Sequence, residues 1–184
     1  MIIAGVILVL ALAIVFWGIG VYNGLVRLRN LKDEGWSGID VQLKRRHDLV
    51  GNLVNTVKGY MAHEKEVLEE IAKMRSMAQN ATGAVQAAQA EGMLSQALGR
   101  LFAVMENYPQ LRANENVMHL QNTLTSLEDE IQLARRYYNG TVREFNTRIE
   151  VFPASIVARQ FGFSKADFFE LDNVSDREVP QVQF

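Results

Sequence analysis

No charged side chain occurs in the first 26 residues. Met1 to Val21 reads MIIAGVILVLALAIVFWGIGV, and the first charge is Arg27. At a rise of ~1.5 Å per residue, about 20 such residues cross the ~30 Å hydrocarbon core of a bilayer. A chain that begins this way is expected to start in a membrane, with the rest tethered at one end. A cleaved signal peptide needs basic residues ahead of an apolar core of roughly 7–15 residues, then a small-residue cleavage site. Here no Lys or Arg precedes the run, the run is longer, and its A-x-A pattern, Ala11-Leu12-Ala13, lies inside it. The chain has no cysteine to carry a lipid. A retained anchor is the expectation.

Arg27, Arg29 and Lys32 follow the span, and positive charge beside a span marks its cytoplasmic side. That predicts a single pass through the cell's inner (cytoplasmic) membrane, N-terminus outside, C-terminal domain in the cytoplasm. Trp17 and Tyr22 sit where interfacial aromatics are expected. Gly20 and Gly24 form a small-xxx-small pair, which can bring two spans close, although glycine is common in membrane helices anyway.

The remaining ~160 residues suit one domain. A formal net charge of −2, from 19 basic and 21 acidic residues, lacks the basic field that captures nucleic acid. Without cysteine there is no disulfide, thiolate metal site or cysteine nucleophile.

From Trp36 the apolar positions step by three and four: Trp36, Ile39, Leu43, then Arg46, then Val50, Leu53, Val57 and Tyr60. That is one helix face. Val67, Ile71, Met74 and Ala78 make a second, which Asn80, Thr82 and Gly83 interrupt. Leu94, Leu98, Leu101, Met105 and Tyr108 make a third, ending at Pro109. The fourth runs from Val117 through Leu124, Ile131 and Tyr138 to Ile149 and Phe152, with Asn114 as its cap and Pro153 as its stop. No useful stretch alternates with period two. The expected fold is all-α: an N-terminal transmembrane helix continuing without a linker into an antiparallel helical bundle of four-helix type. The expected divisions are 1–21 for the anchor, 22–152 for the bundle and 153–184 for an aromatic tail. Whether the first bundle helix breaks near Gly59 is left open. Ser164 is a candidate start for a short helix, and Val179 to Phe184 reads as extended. Phe161, Phe163, Phe168, Phe169 and Phe184 either pack the tail on the bundle or, left exposed, make an interface between subunits.

These stretches resemble the LemA family of bacterial membrane proteins. The resemblance rests on Tyr22-Asn23 with Leu28-Arg29-Asn30, on IDVQLKRRHDLVGNLVNTVKGYMAHE from Ile39, on LGRLFAVMENYPQLRAN from Leu98, on ARRYYNGTVREFNTRIEVFPASIVARQFGF from Ala134, and on the closing V-P-x-V-x-F. Gly51 departs from it, because the family pattern has proline there, so this helix should be less kinked. The resemblance implies an N-terminal anchor with an antiparallel helical bundle, and brings no established biochemical activity. Some relatives occur beside membrane proteases and others in magnetosome membranes, which suggests membrane organisation or stress handling.

His63, Glu64, Glu66, Glu69 and Glu70 look like metal ligands at first. A zinc H-E-x-x-H motif would need histidine where Val67 stands, and Glu115 with His119 makes only one unpaired, mis-spaced fragment of a di-iron motif. A solvated acidic face is the simpler reading. Lys44-Arg45-Arg46-His47 is basic, but on a straight upright helix Lys44 would stand roughly 36 Å beyond Gly20. Attraction to anionic lipid fades within about 8–10 Å. Arg46 lies at a seam position, where a buried guanidinium needs a carboxylate. Asp40, Glu128, Asp129 and Glu130 are the candidate partners. Asp48 is another, and outward snorkelling is the alternative. Arg135 and Arg136 read as rim positions beside an inward Tyr138.

No nucleophile, base and acid share a motif, and no phosphate loop appears. No catalytic, cofactor or metal residue is assigned. The expected function is a non-catalytic scaffold or adaptor that self-associates or binds other membrane proteins, holding lipid through its N-terminal helix. A ligand-sensing bundle with a pocket between helices is the alternative, and a metal-dependent enzyme the weakest. A buried polar pocket would favour sensing, whereas close packing with an exposed apolar patch would favour assembly.

Overall fold

The apolar run and the first amphipathic stretch form one unbroken helix, α1 (Ile2–Val57). The computed structural model describes residues 2–170. Five more helices follow: α2 (Lys65–Asn80), α3 (Gly83–Met105), α4 (Pro109–Arg112), α5 (Glu115–Glu150) and α6 (Ala154–Gln160). No strand occurs among the described residues, so the chain is all-α. Phe184 and the closing 179–184 stretch lie outside the described residues. The helices gather into two compact units. Among the described residues one comprises 2–39 and 134–167, the other 40–133 and 168–170.

In the second unit the later part of α1, then α2, α3 and the first part of α5 supply four helical segments. Their inward stripes make the core: Val50, Leu53 and Val57 from α1, Ile71 from α2, Leu94 and Leu101 from α3, Val117 and Leu124 from α5. Short connections set the direction of each segment. Only Ala81 and Thr82 separate α2 from α3, and Gly83 opens α3 with φ +77°, a conformation that costs glycine nothing. Pro109 opens α4 where an N–H is not needed. Asn114 caps α5, its Oδ1 accepting from the N–H groups of Asn116 and Val117 at 3.0 and 3.2 Å. The hydroxyl of Tyr108 donates to Glu64 Oε1 at 3.0 Å, and that hydrogen bond holds the tyrosine above its ordinary pKa. The break left open near Gly59 falls at Val57. Ending α1 there shifts the phase, so Met61 is buried and Tyr60, expected inward, is exposed.

The first unit joins residues 2–39 of α1 to the later part of α5. Gly35 lets α5 come close: a β-carbon there would sit 3.3 Å from the Tyr138 Cα. The Trp36 and Tyr138 rings lie 5.5 Å apart. Further along, Val21 and Leu25 pack with Phe145 and Ile149, and α6 closes over them with Ala154, Val157 and Ala158. Full burial of a side chain such as Leu25 contributes about 1.5–3 kcal/mol. The helix α6 was not expected, because Pro153 was read as a stop; instead Pro153 is the residue that precedes its first turn. Gly162 terminates α6 with φ +71°, so that Phe163 N–H reaches Ala158 O at 2.9 Å and Gly162 N–H reaches Arg159 O at 3.3 Å.

The helix expected to start at Ser164 is absent. Both backbone groups of Ala166 are already taken by the Asn146 side chain, each at 2.9 Å. Tyr138 secures the same segment, its hydroxyl donating to Asp167 O at 2.9 Å. Burial, then the nearby charges of Asp167 and Asp33, raise the Tyr138 pKa above its ordinary value of 10.0. A raised native pKa adds stability that is fully present below the unfolded value and lost as pH climbs through the native one. Tyr138→Phe should therefore lower stability by about 1 kcal/mol near neutral pH. The gap between variant and wild type should narrow above pH about 10, as chemical denaturation across that range would show.

Candidate functional site

The sharpest chemical feature of the second unit is a set of charges inside it. The Arg46 side chain on α1 is only 8% exposed and that of Glu91 on α3 only 3%. Their Nη1 and Oε2 atoms are 3.1 Å apart. The same Nη1 lies 3.2 Å from Glu128 Oε2 on α5, and Arg46 Nη2 donates to Ser95 Oγ at 2.8 Å. The next residue of α1, His47, is equally buried and places Nε2 2.5 Å from the other Glu91 oxygen. Either the Nε2–H tautomer or the imidazolium supplies that donor.

This arrangement solves a desolvation problem. A lone buried carboxylate is strongly disfavoured. Glu91 is met by one cationic and one imidazole donor, one on each oxygen. No buried side-chain polar atom among the described residues lacks a hydrogen-bond partner. Three helices are thereby keyed to one another, since sliding any of them by a turn would strand a charge. Arg75 on α2 brings in the fourth helix, its Nε donating to the His47 carbonyl at 2.6 Å. In α1 that carbonyl is also the helical acceptor for the N–H of residue 51. Arg75 thus adds a second donor to a carbonyl that the helix already uses. Gly51 lies against the guanidinium, a β-carbon there meeting it at 3.1 Å.

Among the partners considered for Arg46, Glu128 is in contact. Asp40 pairs instead with Lys44 at 2.8 Å, and Glu130 with Arg45 at 3.5 Å on the surface. Asp129 is exposed. Glu91, His47 and Ser95 were not anticipated. Their signal was available: on α3 the inner stripe Ala84, Ala87, Ala88, Leu94 and Leu98 contains Glu91 as an acid among apolar residues. The acidic stretch after His63 contains no metal cluster, and none occurs among the described residues. Glu70 there pairs with Arg100 at 2.8 Å. Beside Arg46 a groove of about 410 Å3 opens, lined by Ser95, Leu98, Phe102, Leu124 and Glu128.

In the first unit, residues 2–20 are exposed apart from half-buried Gly18. A β-carbon added at Gly20 or Gly24 would meet no described atom within 4 Å. Tyr22 lies against Phe161, ring centroids 4.8 Å apart. Arg29 stands over Phe163 at 5.5 Å, Lys32 pairs with Asp33 at 2.9 Å, and Arg27 is exposed. Of the phenylalanines considered for an interface, Phe161 is exposed, Phe163 and Phe168 are half-buried, and Phe169 is 1% exposed and so is not surface.

Together these features define a membrane-associated helical protein with one helix long and apolar enough to cross a bilayer. The LemA family model matches residues 35–184, and the chain belongs to that family. It is 26% identical over 189 residues to Magnetosome protein MamQ 2 of Paramagnetospirillum magneticum, covering 88% of this chain and 70% of that protein. It is 24% identical, over the same shares, to Magnetosome protein MamQ of Magnetospirillum gryphiswaldense. To Protein LemA of Metamycoplasma hominis it is 25% identical over 162 residues, covering 88% of this chain and 74% of the other.

Breaking a buried pair costs about 3–5 kcal/mol, whereas an exposed one contributes about 0–1 kcal/mol. Arg46→Ala should therefore destabilise the protein by several kcal/mol and Arg45→Ala hardly at all, measured by denaturant titration in detergent. Replacing Arg46, His47 and Glu91 together by Met, Leu and Leu should give a folded protein of near-wild-type stability, since a well-packed apolar substitute for a buried ion pair is often neutral or better.

Proposed function

We propose that this protein is a non-catalytic scaffold or adaptor, held in the inner membrane by the first part of α1, with its C-terminal helices in the cytoplasm. The observation that carries this reading is the bare apolar surface of residues 2–20 on a helix that continues into a charge-keyed bundle. Arg27, Arg29 and Lys32, after a span with no charge before it, support the orientation. The similarity to relatives named as magnetosome proteins and to Protein LemA supports a membrane location. The contacts that Arg46 already makes with Glu91, Glu128 and Ser95 on two other helices support a structural task for it. On this reading copies associate through their spans, where Gly20 and Gly24 permit close approach and confinement in a membrane raises effective concentration.

The ligand-sensing alternative has one observation in its favour, the groove beside Arg46. A sensing role would require a ligand that protects the full-length protein against thermal unfolding and whose effect vanishes in Ser95→Ala.

A reporter fused after Phe184 should be active in the cytoplasm, and activity on the far side would overturn the orientation. Cross-linking in membranes should trap oligomers of the full-length protein, and replacing Gly20 and Gly24 by leucine should reduce them. A wild-type protein that stays monomeric in cross-linked membranes would overturn self-association while leaving the anchor intact.

A further inference from the structure

The corner between α5 and α6 carries large apolar side chains that no other described residue covers. Phe152 is 80% exposed, Phe161 61% and Ile156 54%, with Val151 also on the surface. They are not spare core residues turned outward by accident of a loop. The opposite side of α6 already fills the core with Ala154, Val157 and Ala158. The outward side of this seven-residue helix carries Ile156 beside Arg159 and Gln160, and the exposed rings of Phe152 and Phe161 flank it, an amphipathic edge of the kind that marks an interaction surface.

Its level along α1 supplies the explanation. Residues 2–20 have no tertiary cover, and at ~1.5 Å per residue they span about 28 Å, close to the hydrocarbon thickness of ~30 Å. Cover begins at Val21, which is buried in a cluster with Phe145 and Ile149 of α5 and with α6. Phe161 lies beside Tyr22, the first residues beyond that bare length. In the same unit α5 runs against α1 with Gly35 opposite Tyr138, so residue numbers fall on one helix as they rise on the other. Counting along from that contact brings the Val151–Phe152 corner level with residues 21–22. The exposed aromatic corner therefore sits at the depth where the acyl chains give way to headgroups, and where aromatic residues are favoured. Arg27, Arg29, Arg148 and Arg159 are exposed around the same end of the unit, the charge pattern that accompanies interfacial contact with anionic lipid.

We propose that the α5–α6 corner is a second membrane contact: Phe152, Ile156 and Phe161 lie in the lipid interface, so the chain meets one bilayer both through the α1 span and through this corner. The inference rests on α1 spanning the membrane. Its consequence is orientational. A single helix can tilt and rotate about its axis, whereas two contacts fix the face that this unit turns to the lipid and the face it leaves for partners.

The chain has no cysteine, so a single introduced one takes a nitroxide label without competition. Full-length Phe152→Cys, Ile156→Cys, Leu10→Cys and Tyr137→Cys would be labelled and reconstituted in vesicles of phosphatidylcholine and phosphatidylglycerol. Collision with oxygen, which concentrates in lipid, would be compared with collision with a water-soluble nickel chelate. Positions 152 and 156 should follow Leu10, with an oxygen-to-nickel ratio several-fold above that of Tyr137, an exposed α5 position. If 10 is lipid-like while 152 and 156 match 137, the corner is in water and the inference fails with the anchor intact. Shielding of 152 and 156 from both reagents would mean that protein covers them, which also overturns it. An aqueous Leu10 would remove the span itself, and the corner contact with it.

Discussion

Glu91 is the constraint around which the second unit is arranged. A carboxylate at that depth is tolerable only with donors on both oxygens, and they come from Arg46 and His47 on a different helix. Adjacent residues of α1 point in directions about 100° apart, so two neighbours can reach one carboxylate only if that carboxylate sits between their directions. That requirement fixes the rotation of α1 as well as its register against α3. Glu128 then ties α5 to the same guanidinium, and Arg75 ties α2 to the carbonyl of His47. Apolar contacts supply most of the driving force for the core, but they are forgiving of a sliding helix. The charged cluster is not, and specificity of register is the best-attested use of such groups.

The first unit obtains its definition differently, from close approach and from side chains that hold irregular backbone. Gly35 admits α5, Tyr138 and Asn146 grip the 166–167 segment, and Gly162 turns the chain out of α6. A short helix of seven residues would not persist alone, since isolated helices below about 12–15 residues are marginal in water. Its place is set by the apolar surface of Val21 and Leu25, the first residues of α1 that need cover. The transition from a bare apolar helix to a protein-covered one is thus made within one turn, and an aromatic edge marks it.

The periodic features of the chain were legible from residues alone. A 26-residue stretch without charge, apolar steps of three and four, and Asn and Pro punctuation are local signals, and they located α1, α2, α3 and α5 and the cap at Asn114. Arg46 was conspicuous because a charge at a seam position violates the pattern around it. The motifs carried the family as well, and the family model matches residues 35–184, which hold those motifs from Ile39 onward.

What the residues could not say by themselves depended on partners distant in the chain. Glu91 lies 45 positions from Arg46; its place on the apolar stripe of α3 marks it as unusual, but which charge answers it is decided only when α3 is laid against α1. The end of α1 at Val57, which exposes Tyr60 and buries Met61, is a matter of phase that one skipped residue reverses. A proline stop and a proline that precedes a first turn look the same before Val21 and Leu25 are present to receive α6. Local chemistry determined which segments are helices and that the first suits lipid. Only the tertiary structure decided which buried charge answers which, because desolvation acts on a side chain through its neighbours in space, and those are chosen by packing.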